Sequence, residues 1–347
     1  MSRPQSPRKK PHIYGHRGAP GYVPENTVGS YRLAAQMGVD AIEFDLVYSS
    51  DGALVDRHEP NISGTTDVAD RVEFAERRRE ITIGEVTESG WFTSDFTLAE
   101  LRSLRAREPY PHLRPHTLEA PGEWRIPTFE EILEVRAEAS ASRGTELGSV
   151  IELKHSCLWH ALGHDPEQQV LAALDRAGLA WDSPLVRIES FELGNLVRLR
   201  RELGFPGTLV FLVEDSGRPL DHVLSGDERT FADLVTPAGL ADLAETVDVI
   251  GPSKHLVIGR TPDDRLAEPT SLVADCHALG LKVTPWTFRA ENHFLPAELR
   301  SSDDPAELGD YQGELHAYFD AGIDAAFCDQ PDLAITARDA YLATTQN

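Results

Sequence analysis

The stretch Ile13-Tyr14-Gly15-His16-Arg17-Gly18, then Pro24-Glu25-Asn26-Thr27, then Ala41-Ile42-Glu43-Phe44-Asp45-Leu46-Val47 sets the architecture of this chain. Its outer segments are short apolar runs that read as strands. Between them Asn26–Met37 reads as a helix, with Val28, Tyr31, Ala34 and Ala35 on one face and Gly38 as its stop. Gly18-Ala19-Pro20-Gly21 makes a tight loop out of the first strand. Asp51-Gly52 then turns the second strand back into an extended Ala53–Arg57.

The same alternation recurs downstream. Thr128, with Glu131 three residues on, forms a capping box that opens a helix over Phe129–Ala139. The remaining strands read as Ser149–Leu153, Leu185–Ser190, Thr208–Val213, Val247–Ile250, Lys282–Thr287 and Ala325–Cys328. Helices read as Pro166–Ala177, Glu192–Leu203, Pro269–Leu279, Tyr311–Ala321 and Asp332–Leu342. About eight strands alternating with helices imply a parallel α/β sheet. The length, without a G-x-G-x-x-G loop, predicts a (β/α)₈ TIM barrel rather than a doubly wound sheet. Residues 59–125 break the alternation and read as an inserted loop subdomain after the second strand, with a shorter insertion at about 289–309. Residues 1–11, which include Arg8-Lys9-Lys10, are expected to be a disordered basic tail, and 12–345 one barrel domain.

The composition narrows the partners. With 41% hydrophobic and 26% charged residues the chain is globular in type, and its net charge of -24 repels polyanions. Nucleic acid is therefore excluded as a main partner. A small anionic substrate remains compatible with a locally positive site. Cys157, Cys276 and Cys328 are far apart, which argues against a disulfide framework and a zinc site. Free thiols of this kind suit a reducing compartment, so a cytoplasmic location is expected. No apolar run spans a membrane, follows the basic residues as a leader, or forms an evident amphipathic membrane helix. No stable membrane association is expected, and the oligomeric state is left open.

Ionisable residues collect where the strands end: His16-Arg17, Glu43-Phe44-Asp45, His58-Glu59, Glu152-Leu153-Lys154, Glu189-Ser190, Lys254-His255, Trp286-Thr287 and Asp329. In a barrel these ends share one rim. Glu43 and Asp45 are two apart and face the same side, where two carboxylates repel unless a cation lies between them. Hard oxygen ligands select Mg²⁺, Ca²⁺ or Mn²⁺ over zinc. Glu152 supplies a third carboxylate, and Lys154 a charge for a phosphoryl oxygen. Three of only five lysines, Lys154, Lys254 and Lys282, fall in or beside strands. A proton carrier, cations and metal-holding carboxylates are what phosphodiester hydrolysis requires.

Together, His16-Arg17-Gly18, Pro24-Glu25-Asn26-Thr27, Glu43-x-Asp45, Asp51-Gly52 with Val55 and His58, Glu152-Leu153-Lys154, Ser190-Phe191, Trp286-Thr287 and Asp329-x-Pro331 resemble the glycerophosphodiester phosphodiesterase family. The resemblance runs from about 13 to 340. Trp91-Phe92 with Asp95-Phe96-Thr97-Leu98 looks like its bacterial periplasmic-type branch, although no signal peptide is evident. The resemblance implies a TIM barrel and metal-dependent hydrolysis of small glycerophosphodiesters to an alcohol and sn-glycerol 3-phosphate. It implies Glu43, Asp45 and Glu152 as ligands of a divalent metal, Mg²⁺ or Ca²⁺, and His16 and His58 as the catalytic pair. Arg17 and Lys154 match phosphate contacts, and Trp286 an aromatic near the substrate. His58-Glu59 departs from the usual His-Asp, and Cys328-Asp329 from the usual Thr-Asp. The nearest rival is a phospholipase C/D-type phosphodiesterase acting on intact lipid headgroups.

Overall fold

The computed structural model describes residues 9–119 and 124–344. Eight strands build its main sheet: β1 (His12–Gly15), β2 (Ala41–Tyr48), β3 (Gly148–Leu153), β4 (Val186–Ser190), β5 (Thr208–Val213), β6 (Val249–Pro252), β7 (Lys282–Val283) and β8 (Ala325–Cys328). Their order is β7-β6-β5-β4-β3-β2-β1-β8, and every neighbouring pair is parallel. The two ends of this order meet. Asp324 N donates to Val283 O at 2.8 Å, and Phe288 N to Phe327 O at 2.9 Å. The sheet thus curls into the predicted (β/α)₈ barrel, with Leu54–Asp56 added antiparallel to β2.

Strand β2 shows how the sequence divides inside from outside. Ile42, Phe44 and Leu46 belong to the large outer core, which also holds Tyr31 and Phe129 from the helices. Phe44 lies 6.1 Å from the Tyr31 ring and 5.8 Å from that of Phe129. Burying such a side chain contributes about 1.5–3 kcal/mol. The alternate residues Ala41, Glu43 and Asp45 point inward, as the two-residue period demands. Ala41 joins Tyr14, Val150, Ala325 and Phe327 in an apolar plug. Glu43 and Asp45 follow it toward the C-terminal rim.

Local differences from the expected elements have identifiable causes. The first helix, α1 (Val28–Met37), starts two residues late because Asn26 has φ of 52° and Thr27 is the cap, accepting from Ser30 N at 3.2 Å. The helix expected from Pro269 begins at Leu272, because Leu266–Pro269 pairs antiparallel with Ile258–Arg260. Three short helices, Leu220–Ser225, Phe231–Leu234 and Pro237–Leu243, fill the region between β5 and β6. Of the expected basic tail, residues 1–8 lie outside the described residues, while Lys9 pairs with Asp324. Residue 345 also lies outside them.

The segment after β2 has its own small framework. It contains a hairpin of Arg79–Ile83 with Val86–Gly90 and a capped turn of helix, Leu98–Leu101. The Arg77 guanidinium lies 5.1 and 5.0 Å from the Phe74 and Phe96 rings and pairs with Glu100. Arg114 ties this segment to the barrel. Only 1% exposed, it donates to Glu291 Oε1 at 2.5 Å and to Asp329 Oδ2 at 2.7 Å. Removing one partner of a buried pair leaves the other charge uncompensated. Arg114→Met is therefore expected to cost about 3–5 kcal/mol of stability in urea unfolding. A loss below about 1 kcal/mol, the range of exposed pairs, would contradict that role.

Candidate active site

His16 leaves β1 where the backbone reverses. Arg17 has φ of 52° and Gly18 of 94°, and a Cβ on Gly18 would collide with Ser30. Across the barrel seam, Asp329 directly follows β8, and its Oδ1 lies 2.7 Å from His16 Nδ1. Asp329 also accepts from Arg114 and from Arg289 Nε at 2.8 Å. Although Asp329 is buried, these cations hold it well below the usual carboxylate range. An ionised Asp329 can only accept, so His16 Nδ1 carries the proton and Nε2 is left for chemistry. Burial and the nearby Arg17 charge lower the His16 pKa, and Asp329 opposes them.

His58 is positioned by the strand that turns back on β2. Arg57 N donates to Asp45 O at 3.1 Å, and Asp56 Oδ1 accepts from Asp45 N, also at 3.1 Å. Glu59, the departure from the family's usual Asp, reaches two rings. Its Oε1 lies 3.4 Å from His58 Nδ1, and its Oε2 lies 3.0 Å from His155 Nε2. Burial, then the charges of Arg17 and Lys154, push the His58 pKa well below its ordinary value. Both His16 and His58 line a cavity of about 1080 Å³, together with Glu43, Glu152, Lys154 and Trp286.

Below the histidines the carboxylates stand in register. Asp45 pairs with Glu152 across β2 and β3, and Glu152 with Glu189 across β3 and β4. Glu43, Glu152 and Glu189 each bring an oxygen to within 4.8 Å of the others. Asp45 has further partners: it accepts from Asn26 Nδ2 at 3.0 Å and lies 3.3 Å from Lys154 Nζ and 3.6 Å from Arg17 Nε. Despite burial, Lys154, His58 and Arg17 hold its carboxyl well below the ordinary range. Lys154 also contacts Glu152 at 2.8 Å, so its one charge is divided between two acids.

Glu43 and Glu189 behave oppositely to Asp45. Burial, and then neighbouring carboxylates, push both well above the usual range, and Glu152 is raised as well. Glu152 Oε1 and Glu189 Oε2 are buried without a hydrogen-bond partner. Buried carboxylates this close, two of them with an orphaned oxygen, fit a hard divalent cation, which would neutralise their repulsion. A second acidic group, His160, Asp165 and Glu167, already holds a cation: Arg198 lies 2.7 Å from Asp165 and 2.5 Å from Glu167.

The rest of the rim is held by pairing and packing. Arg17 donates to Glu25 Oε2 at 3.0 Å through its side chain and to Glu43 Oε2 at 2.8 Å through its backbone N–H. Trp286 Nε1 donates to Gly251 O at 2.9 Å, and its ring meets Phe191 edge-on at 5.6 Å. Glu189, Asp329 and Arg114 had no assigned role in the sequence reading. Alignment of Glu189 with Glu152 at successive strand ends was a usable signal for the first, and Asp329-x-Pro331 for the second. Arg114 had none.

The geometry has clear relatives. Residues 16–333 match the model of the glycerophosphoryl diester phosphodiesterase family. The chain belongs to that family. It is 32% identical to a glycerophosphodiester phosphodiesterase of Arabidopsis thaliana, over 89% of this chain and 86% of the relative. It is 27% identical to one of Haemophilus influenzae, over 80% and 79%. The barrel superposes on a Silicibacter pomeroyi structure described as a glycerophosphoryl diester phosphodiesterase, with a TM-score of 0.63, 21% identity and coverage of 98% and 96%. An Oleispira antarctica phosphodiesterase, solved in complex with the product sn-glycerol-3-phosphate, gives 0.62, 21% and coverage of 95% and 97%.

Proposed function

We propose that this member of the family hydrolyses small glycerophosphodiesters to an alcohol and sn-glycerol 3-phosphate. The reading assigns a divalent cation, Mg²⁺ or Ca²⁺, to Glu43, Asp45 and Glu152, and proton transfer to His16 and His58. The observation that carries it is one cavity lined by both histidines, with buried carboxylates beside Arg17 and Lys154 at its base. The product in the Oleispira antarctica site supports the same choice of substrate.

A cation held there supplies Lewis-acid neutralisation of a phosphoryl oxygen. Arg17 and Lys154 add positive charge where negative charge develops on the phosphoryl group. Asp329 fixes the ring of His16 so that Nε2 faces the phosphodiester. One imidazole takes the nucleophile's proton and the other delivers one to the leaving alkoxide. Trp286, packed on Phe191, offers an apolar face to the glycerol or the alcohol. Three free cysteines, Cys157, Cys276 and Cys328, support a reducing, cytoplasmic setting. Among the described residues no helix is long and apolar enough to cross a membrane.

A paired assay tests the substrate. Glycerophosphocholine with Mg²⁺ or Ca²⁺ is expected to yield glycerol 3-phosphate, while phosphatidylcholine vesicles yield neither phosphatidate nor phosphocholine. Preferential attack on the vesicles would establish the phospholipase-type alternative instead.

A further inference from the structure

We propose that Glu189 is a fourth carboxylate of the cation centre, beyond Glu43, Asp45 and Glu152. The inference rests on the proposed reading of that centre as a metal site. Glu189 is the inward-facing residue of β4 that pairs in register with Glu152. It is 2% exposed, and its Oε2 has no hydrogen-bond partner. An oxygen of its carboxylate lies within 4.8 Å of oxygens of both Glu43 and Glu152.

The nearby cations are committed elsewhere. Lys154 Nζ is on Glu152 and Asp45. Arg187, two residues back on the same face of β4, lies 5.3 Å from the centre of the Tyr14 ring. Arg17 is on Glu25 and Asp45. A buried carboxylate is retained in proteins when it is paired or coordinates a metal. Among the described residues Glu189 has no ion-pair partner within 4.0 Å, so its charged form needs a coordinated cation.

A fourth carboxylate also changes which ion fits. Four such groups offer up to about eight oxygens, the upper end of what Ca²⁺ accepts, whereas Mg²⁺ demands about six in a strict octahedron and keeps several as water. Glu189 should therefore strengthen Ca²⁺ binding more than Mg²⁺ binding.

Titration calorimetry of the full chain with CaCl₂ and with MgCl₂ tests this without substrate. Glu189→Gln keeps the shape and removes the charge. It is expected to lower Ca²⁺ affinity by about tenfold or more, and Mg²⁺ affinity by a smaller factor. A smaller fall for Ca²⁺, with Glu152→Gln still abolishing binding, would remove Glu189 from the centre and leave the centre standing. Absence of binding of either ion to the wild-type chain would overturn the metal reading itself. Thermal melts in EDTA report folding: Glu189→Gln keeps the side chain's shape and should melt close to wild type. Should that variant fail to fold, Glu189→Asp is judged by the same tenfold criterion for Ca²⁺.

Discussion

Exhaustive chelation with EDTA will abolish hydrolysis, and adding back Mg²⁺ or Ca²⁺ will restore it. The physical ground is the electrostatics of the barrel's inner rim. Glu43, Glu152 and Glu189 are buried, and their oxygens lie within 4.8 Å of one another. Lys154 compensates Glu152 and Asp45, but the group still carries more negative than positive charge at close range. Burial and mutual repulsion accordingly raise the carboxyl pKa values of Glu43, Glu152 and Glu189. The sign of the pH dependence follows. Raised carboxyls hold protons in the metal-free protein, and a cation must displace them. Metal binding will therefore release protons and weaken as pH falls. Calorimetry in buffers of different ionisation enthalpy measures that release. Undiminished turnover after chelation, checked by metal analysis of the protein, would remove the cation from the mechanism.

Much of this site could be read before the fold was seen, because its signals were local. Glu43-x-Asp45 and Glu152-x-Lys154 declare a shared face through the two-residue period of a strand. His16 and His58 stand where apolar runs stop, and a parallel barrel brings such stops to one rim. What was hidden depends on register and on distant contacts. Glu189-Ser190-Phe191 has no local mark of metal chemistry. Its meaning comes from the pairing of β3 with β4, which puts Glu189 opposite Glu152. Arg114 lies in a segment without periodicity and meets Asp329 across 215 positions. Asn26 read as the first residue of a helix. Thr27 caps instead, and the Asn26 side chain holds Asp45 and Asp56 together, with Nδ2 at 3.0 and 2.7 Å from their oxygens.

Replacing His16 or His58 with alanine will lower kcat by about 10²–10⁴-fold while leaving the circular dichroism spectrum unchanged. Both rings lie in the rim rather than in the apolar core, so their loss removes proton transfer without a packing defect. The two should differ in how their neighbours report on them. Asp329 raises the His16 pKa against the lowering effects of burial and Arg17. Asp329→Asn therefore shifts the His16 titration to lower pH, and the limb of the kcat–pH profile that belongs to His16 moves the same way. It also removes the anion that Arg114 and Arg289 share, so a stability loss accompanies it. His58 touches Glu59 rather than Asp329, and its titration should stay where it is in the same variant. Wild-type-like kcat in either alanine variant would end the two-histidine assignment. An unshifted His16 resonance in Asp329→Asn, followed by NMR of the imidazole, would instead show that the 2.7 Å contact does not set its protonation.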